Sequence, residues 1–359
     1  MTWIGLRTAD SQAFSLAGIA AQGTRAPRFA ETALLKRGSL QIEFAYTPSA
    51  RRQVLIDHRY DAPWPMHLRV TITPDAVLHF DLQCGATRSY MCLETGLTDC
   101  ERAVELVYSW HAPDRVAQLS MHLPFAARSV HRALYDPAPL PLIALQSLIM
   151  APHPAGPLSY LGVSTAIEPV GPAPSLAGNT VVDTPTGPRY VSQIRAGDQV
   201  LCKNDQPRRV LWAGHRDVPA CGRFQPIRLR APYFGLRRDI TVAPTQHIAF
   251  EGPDVEYLFG EERVLVSASH AVVGGVQAIR DNRQTVMRYH QLLLEDHALI
   301  RIGGAFGESL FLGALADDEM ALNASIWSGS APQDLPVHAQ FAAPVLKQYE
   351  AITLTRAFA

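Results

Sequence analysis

The chain has 359 residues, 47% apolar and 18% charged, with 32 basic against 33 acidic side chains and a formal net charge of −1. That length suits two or three domains with sizeable cores, and that composition excludes a disordered chain. The charge balance offers no electrostatic attraction to nucleic acid or an anionic membrane, so neither is expected as a partner. No apolar run approaches the about 18–20 residues of a membrane helix. The longest, residues 140–150, reads as a packing segment. The opening MTWIGLRTADSQAF has no basic stretch followed by an apolar one, so no Sec signal is expected; cytoplasm and export by another route both stay open. Five cysteines (Cys84, Cys92, Cys100, Cys202, Cys221) show no CxxC spacing. Their odd number points to free thiols rather than a disulfide framework or a zinc site, with a Cys84–Cys92 bridge across a hairpin as the alternative.

In chain order, the first residues, to about position 24, show no clear period. From Ser39 the pattern alternates: SLQIEFAY puts Leu40, Ile42, Phe44 and Tyr46 on one face, as a half-buried strand does. QVLIDHR, HLRVTIT, AVLHFDLQ and RSYMCLE follow, each short and rich in β-branched or aromatic residues. Thr73-Pro74-Asp75-Ala76 is a tight turn, and His111-Ala112-Pro113-Asp114 joins AVELVYSW to RVAQLSMH. Strands at this spacing predict a sandwich or barrel. After Met121 the pattern loosens into a long connection, and PLSYLGVSTAI reads as a closing strand.

Three prolines and a glycine in residues 168–174 exclude helix and central strand there, so a domain boundary is expected. Short strands then resume in NTVVDTPTGPRYVSQIRAGDQVL, RRVLWAGHRDV, RDITVAPTQHIAF, ERVLVSASHAVVGG, VMRYHQLLLEDHALIRIGG and ESLFLG. The predicted class is therefore all-β throughout.

Residues 39–166 resemble concanavalin-like and laminin-G-like sandwiches by pattern. That resemblance implies a glycan or protein ligand, with Trp64, Trp110 and His111 as sugar-site candidates against the plainer reading of core tryptophans. Beyond the joint, three segments resemble the Hint (hedgehog/intein) family, most closely its short bacterial branch. VSQIRAGDQVL is similar to V-x-x-L-x-x-G-D-x-V-L, TVAPTQHIAF to a V-S-P-x-H strand, and RYHQLLLEDHALIRIGGAFGESLFLG to a closing Tyr-His-x-x-L-x-x-x-His with a Glu-Ser ending. The expected organisation is a β-sandwich over 25–168, a linker at 169–174, a Hint-like module of curved hairpins over 175–313 and a tail over 314–359, with a short helix near DDEMALNASIW.

The resemblance implies self-processing. A nucleophile at the module's first position, here Ser175, attacks the carbonyl of the residue before it. His247, with Thr245 on the same strand face, then protonates the leaving nitrogen. His290 and His297 belong to the closing motif, seven residues apart, and enter one site only if a turn at LEDH intervenes. Asp296 would orient a histidine, and His270 ends a SASH strand. The family's nucleophile is usually Cys, Pro244 holds the slot of its Thr or Ser, and Pro174 stands before the scissile bond. The terminal His-Asn of inteins is absent, so splicing is not expected. The implied activity is an N–O acyl shift at Pro174–Ser175, then cleavage or transfer of the N-terminal domain, with no metal or organic cofactor. The alternative is an inactive Hint scaffold displaying a glycan- or protein-binding sandwich. A third reading, a glycoside hydrolase, would draw on Glu43, Asp57 and Asp81.

Overall fold

The computed structural model describes residues 2–20, 29–152, 156–272 and 276–357. Two compact units divide the chain: Met1–Gly171 with Met320–Ser328, and Pro172–Glu319 with Gly329–Ala359.

In the first unit β1 (Trp3–Thr8) and β2 (Gln12–Phe14) precede the short β3 (Leu34–Leu35) and the long β4 (Arg37–Tyr46). Four hairpin strands follow: β5 (Gln53–Tyr60), β6 (Met66–Ile72), β7 (Val77–Cys84) and β8 (Thr87–Glu94). Then come β9 (Glu101–His111), β10 (Val116–Leu123), β11 (Arg128–Tyr135) and β12 (Leu140–Pro141). Helix α1 (Leu142–Met150) and β13 (Leu158–Ser164) close the unit. The sheets run β11-β10-β9-β4-β13-β1-β2 and β5-β6-β7-β8, with β3 and β12 as a small pair. Both larger sheets send alternate side chains into one core. Leu78, Phe80 and Leu82 of β7 meet Leu40, Ile42 and Phe44 of β4 there. Each such burial contributes about 1.5–3 kcal/mol.

The opening residues, which carry no legible period, supply β1, an interior strand between β13 and β2. Residues 140–150 pack as β12 and α1. Trp110 is a core residue stacked on Tyr108 at 5.7 Å, not a surface sugar platform. Trp64 is exposed, and His111 pairs with Asp114 at 3.2 Å. All five cysteines are free. A Cys84–Cys92 bridge is excluded by register: Cys84 points into the core, whereas Cys92 lies across from His79 on the outer face.

The hydrolase candidates do not assemble. Glu43 lies on the seven-stranded sheet, Asp57 and Asp81 on the four-stranded one. Asp57 contacts His67 and Arg69, and Asp81 is bidentate with Arg88. Hydrogen bonding to Arg88 holds the Asp81 carboxyl below the usual range, the reverse of what a general acid needs.

The second unit opens with β14 (Leu176–Ala177), β15 (Val181–Thr184), β16 (Gly187–Tyr190) and β17 (Gln199–Leu201). The long β18 (Pro207–Pro219), then β19 (Ile227–Leu229), β20 (Ile240–Val242) and β21 (His247–Glu251) follow. Helix α2 (Pro253–Phe259) starts on Pro253 and stops at Gly260, whose φ of 68° is the left-handed cap glycine favours. β22 (Arg263–Ser267), α3 (Ala268–Ala271), β23 (Ala278–Arg280) and β24 (Val286–Leu294) come next. The hairpin β25 (Leu299–Ile302) and β26 (Ala305–Glu308) is followed in the chain by α4 (Glu319–Ala324), which from Met320 on belongs to the first unit, and by α5 (Gln348–Ala357) of the second.

The sheets are β17-β18-β24-β14-β20-β19-β23 and β16-β15-β25-β26-β21-β22. The two-residue β14 is threaded between β24 and β20, with Leu176 across from both His290 and Val242. That insertion fixes where Ser175 must stand. His270 lies in α3, not at a strand end. The tail is structural: Leu346, Ala351 and Leu354 join the unit's core. A second tail segment, Met320–Ser328, belongs to the first unit, where the Val170 amide bonds to the Ala324 carbonyl at 2.8 Å.

Candidate functional site

Ser175 is buried, and its backbone is held on both sides. Its amide donates to the His290 carbonyl at 3.3 Å, and its carbonyl accepts from the Ala243 amide at 2.7 Å. The hydroxyl donates to Gln246 Oε1 at 2.5 Å and accepts from Gln291 Nε2 at 2.9 Å. The two glutamines also touch each other, Gln291 Nε2 to Gln246 Oε1 at 3.1 Å.

The orientation of each amide follows from its other end. Gln246 Nε2 donates to the carbonyls of His247 and Glu308, so its oxygen must face Ser175. Gln291 Oε1 accepts the Leu292 amide, so its nitrogen must face Ser175. Ser175 therefore sits in a closed neutral network. No hydrogen bond links Ser175 to a histidine side chain, and none reaches the Pro174 carbonyl, among the described residues.

The predicted histidines lie one residue away from these contacts. On β24, Gln291 shares a face with Ser175 and His290 takes the other. The His290 ring sits 5.3 Å from that of His215 on β18 and packs over Gly178, where a Cβ would meet its Nε2 at 3.0 Å. Burial and the His215 ring lower its pKa to about 4. Before β21, Gln246 turns to Ser175 while His247 turns to Glu308. Thr245 does not share a strand face with His247. It lies in a turn closed by the Gln246 amide on the Ala243 carbonyl at 3.1 Å, and β21 begins only at His247.

His247 and His297 do come together, around a carboxylate rather than around Ser175. Glu308 Oε1 accepts from the His247 amide at 3.1 Å and meets His247 Nδ1 at 2.8 Å. Glu308 Oε2 lies 3.3 Å from His297 Nε2. Burial alone would raise the Glu308 pKa, but the two imidazoles outweigh it and hold the carboxyl well below its ordinary range. A turn at 295–298 does separate His290 from His297, yet it sends them to different places. His297 Nδ1 accepts the Ala342 amide at 2.9 Å, and its ring edge meets Phe311 and Phe341. Asp296 reaches Arg208 at 3.5 Å. A cleft of about 450 Å³ lined by Tyr233, Phe234, Phe250 and Phe306 lies in the same unit, and none of the five predicted residues lines it.

Gln246, Gln291 and Glu308 were not among the residues expected at the site. Spacing carried a signal for the first. Val242-Ala243-Pro244-Thr245-Gln246 keeps the valine and proline of V-S-P-x-H, which puts Gln246 in the histidine slot. No local signal marks the second: Gln291 faces Ser175 because Leu176 pairs with His290 in the β14–β24 register.

Residues 174–314 match the family described as Hint domain. Among solved structures, the chain is similar to a bacterial intein-like domain from Clostridium thermocellum at 14% identity and TM-score 0.27, over 38% of this chain and 98% of that one. It is similar to the MchDnaB-1 intein at 16% identity and TM-score 0.26, over 37% and 98%. A third similarity, at 12% identity and TM-score 0.26, is to the Ruminococcus gnavus IT-sialidase CBM40, over 37% and 78%. No curated protein matches. Residues 174–314 are thus a Hint domain, and the chain as a whole is all-β, a sandwich followed by a Hint fold.

Proposed function

We propose that the Hint domain at residues 174–314 is a non-processing scaffold: it keeps the fold of a self-cleaving module without the proton chemistry of cleavage, and the sandwich is the ligand-binding part. One observation carries this reading: the Ser175 hydroxyl lies between two glutamine amides. A serine attacks an amide only if something takes its proton, and a carboxamide is not a base at neutral pH. Attack also needs a polarised carbonyl, and Pro174 receives no donor among the described residues. For the sandwich, the outer face of β5–β8 pairs charges of both signs, Asp57 with His67 and Arg69 and Asp81 with Arg88, groups suited to a polar ligand such as a glycan or an acidic–basic protein surface.

The test is intact-protein mass spectrometry under denaturing conditions, on wild type and Ser175→Ala, with and without hydroxylamine or a thiol. One uncleaved species of 39.3 kDa in every sample is the expected result. Fragments meeting at Pro174–Ser175 in wild type alone would overturn the reading and restore an active N–O acyl shift.

A further inference from the structure

The open face of the four-stranded sheet carries a nucleophile, a base and a hydroxyl that the Hint chemistry does not involve. Cys92 on the edge strand β8 lies directly across from His79 on β7. Tyr90, two residues before Cys92, projects from the same face. The Tyr90 hydroxyl is 2.8 Å from His79 Nδ1, and Cys92 Sγ lies 3.2 Å from that hydroxyl and 3.3 Å from Nδ1. Tyr90 is 50% exposed, so solvent and small molecules reach the cluster.

We propose that Cys92, Tyr90 and His79 form a thiol-exchange site, at which Cys92 takes up a low-molecular-weight disulfide as a mixed disulfide. The geometry orders the protons. Nδ1 has one lone pair and two donors beside it, so Tyr90 donates to Nδ1 and the thiol donates to the Tyr90 oxygen. His79 then carries its own proton on Nε2. In the reaction the Cys92 proton passes to the Tyr90 oxygen as the Tyr90 proton passes to Nδ1. The freed thiolate attacks one sulfur of the disulfide; a new S–S bond forms and the old one breaks. The departing thiolate takes the proton back from the His79 imidazolium. Cys92 is oxidised, the external disulfide is reduced, and His79 and Tyr90 end as they began.

Cys100 is an internal reference: it is exposed and, among the described residues, has neither a histidine nor a tyrosine hydroxyl bonded to it. Buried Cys84 reports on folding. The experiment treats the full chain at pH 7 with bis(2-hydroxyethyl) disulfide, quenches with acid and maps each cysteine by peptide mass. Cys92 is expected to form mixed disulfide about tenfold or more faster than Cys100, as a proton acceptor in reach allows. His79→Gln and Tyr90→Phe are each expected to bring Cys92 down toward the Cys100 rate, with Cys84 still protected. A Cys92 rate no higher than that of Cys100 in wild type would overturn the proposal, as would an unchanged rate in both variants. If His79→Gln exposes Cys84, Tyr90→Phe alone decides. None of these outcomes depends on whether the Hint domain cleaves.

Discussion

Gln246 and His247 are neighbours in the chain and opposites in chemistry. Gln246 holds the Ser175 hydroxyl in a network of neutral amides, while His247 joins Glu308 and His297 in a buried cluster that carries charge. The module thus retains acid–base groups of the kind self-cleavage needs, one residue out of place. Side-chain direction, more than residue inventory, decides whether a nucleophile meets a base. In a β-rich fold that direction reverses at every residue.

The sharpest way to break the contrast is to move the base across it. Ser175→Cys with Gln246→His places a better nucleophile beside an imidazole. We expect the double variant to cleave at the bond after Pro174 on addition of a thiol, where wild type gives none, as read by denaturing mass spectrometry. A double variant that stays whole would locate the defect in the Pro174 carbonyl instead of the base.

The charged side answers to stability. Removing Glu308 leaves two buried imidazoles without the carboxylate they share, and Glu308→Ala is expected to cost about 3 kcal/mol in urea unfolding. Ser175→Ala is expected to cost about 1 kcal/mol, because Gln246 and Gln291 still bond each other once the hydroxyl is gone. A reversed ranking would mean that the amide network, not the Glu308 cluster, holds these strands together.

Acid separates the sites further. The folded-state pKa of His290 is lowered from its ordinary 6.5 to about 4, so between those values the unfolded chain binds a proton that the folded chain does not. Stability is full above that window and falls as pH drops through it. The ring is only partly buried, so solvent screening reduces the effect to about 1 kcal/mol. Glu308 contributes lower on the scale. Its depressed pKa gives stability that is present above the ordinary carboxylate range and lost as pH falls below it. Urea midpoints at pH 7 and 4.5 should converge more in His290→Ala than in wild type, whereas Glu308→Gln should flatten the profile only at lower pH. Smallest of all, His215→Gln should raise the His290 titration by NMR only in part, since burial is the larger cause of the shift.

Much of the fold was legible because it rests on alternation and turn chemistry, both local. β4 and the β9–β10 pair announce themselves through period-two apolar residues and Pro/Asp turns. β1 does not: Trp3, Ile4, Gly5 and Leu6 are all buried and none is polar, whereas β4, also buried on both faces, sets Ser39, Gln41 and Glu43 between its apolar residues. The site was harder to read. Histidines at 247, 290 and 297 stood out by type, but which way each points depends on where a strand begins. The turn at Pro244 and Thr245 delays β21 by enough to exchange His247 for Gln246. The Glu308 pairing joins residues 61 positions apart, a relation no local pattern encodes.

The return of Met320–Ser328 to the first unit bears on any cut at Ser175. A strand break there would not set the sandwich free, because part of its own fold is encoded beyond the Hint domain. The amide of Val170 and the carbonyl of Ala324 would belong to different polypeptides yet still be bonded. The product would be a nicked complex, whole on a native sizing column and in two pieces only after denaturation. Loss of covalent continuity and loss of the domain would be separate events, and release would need the second segment to peel away.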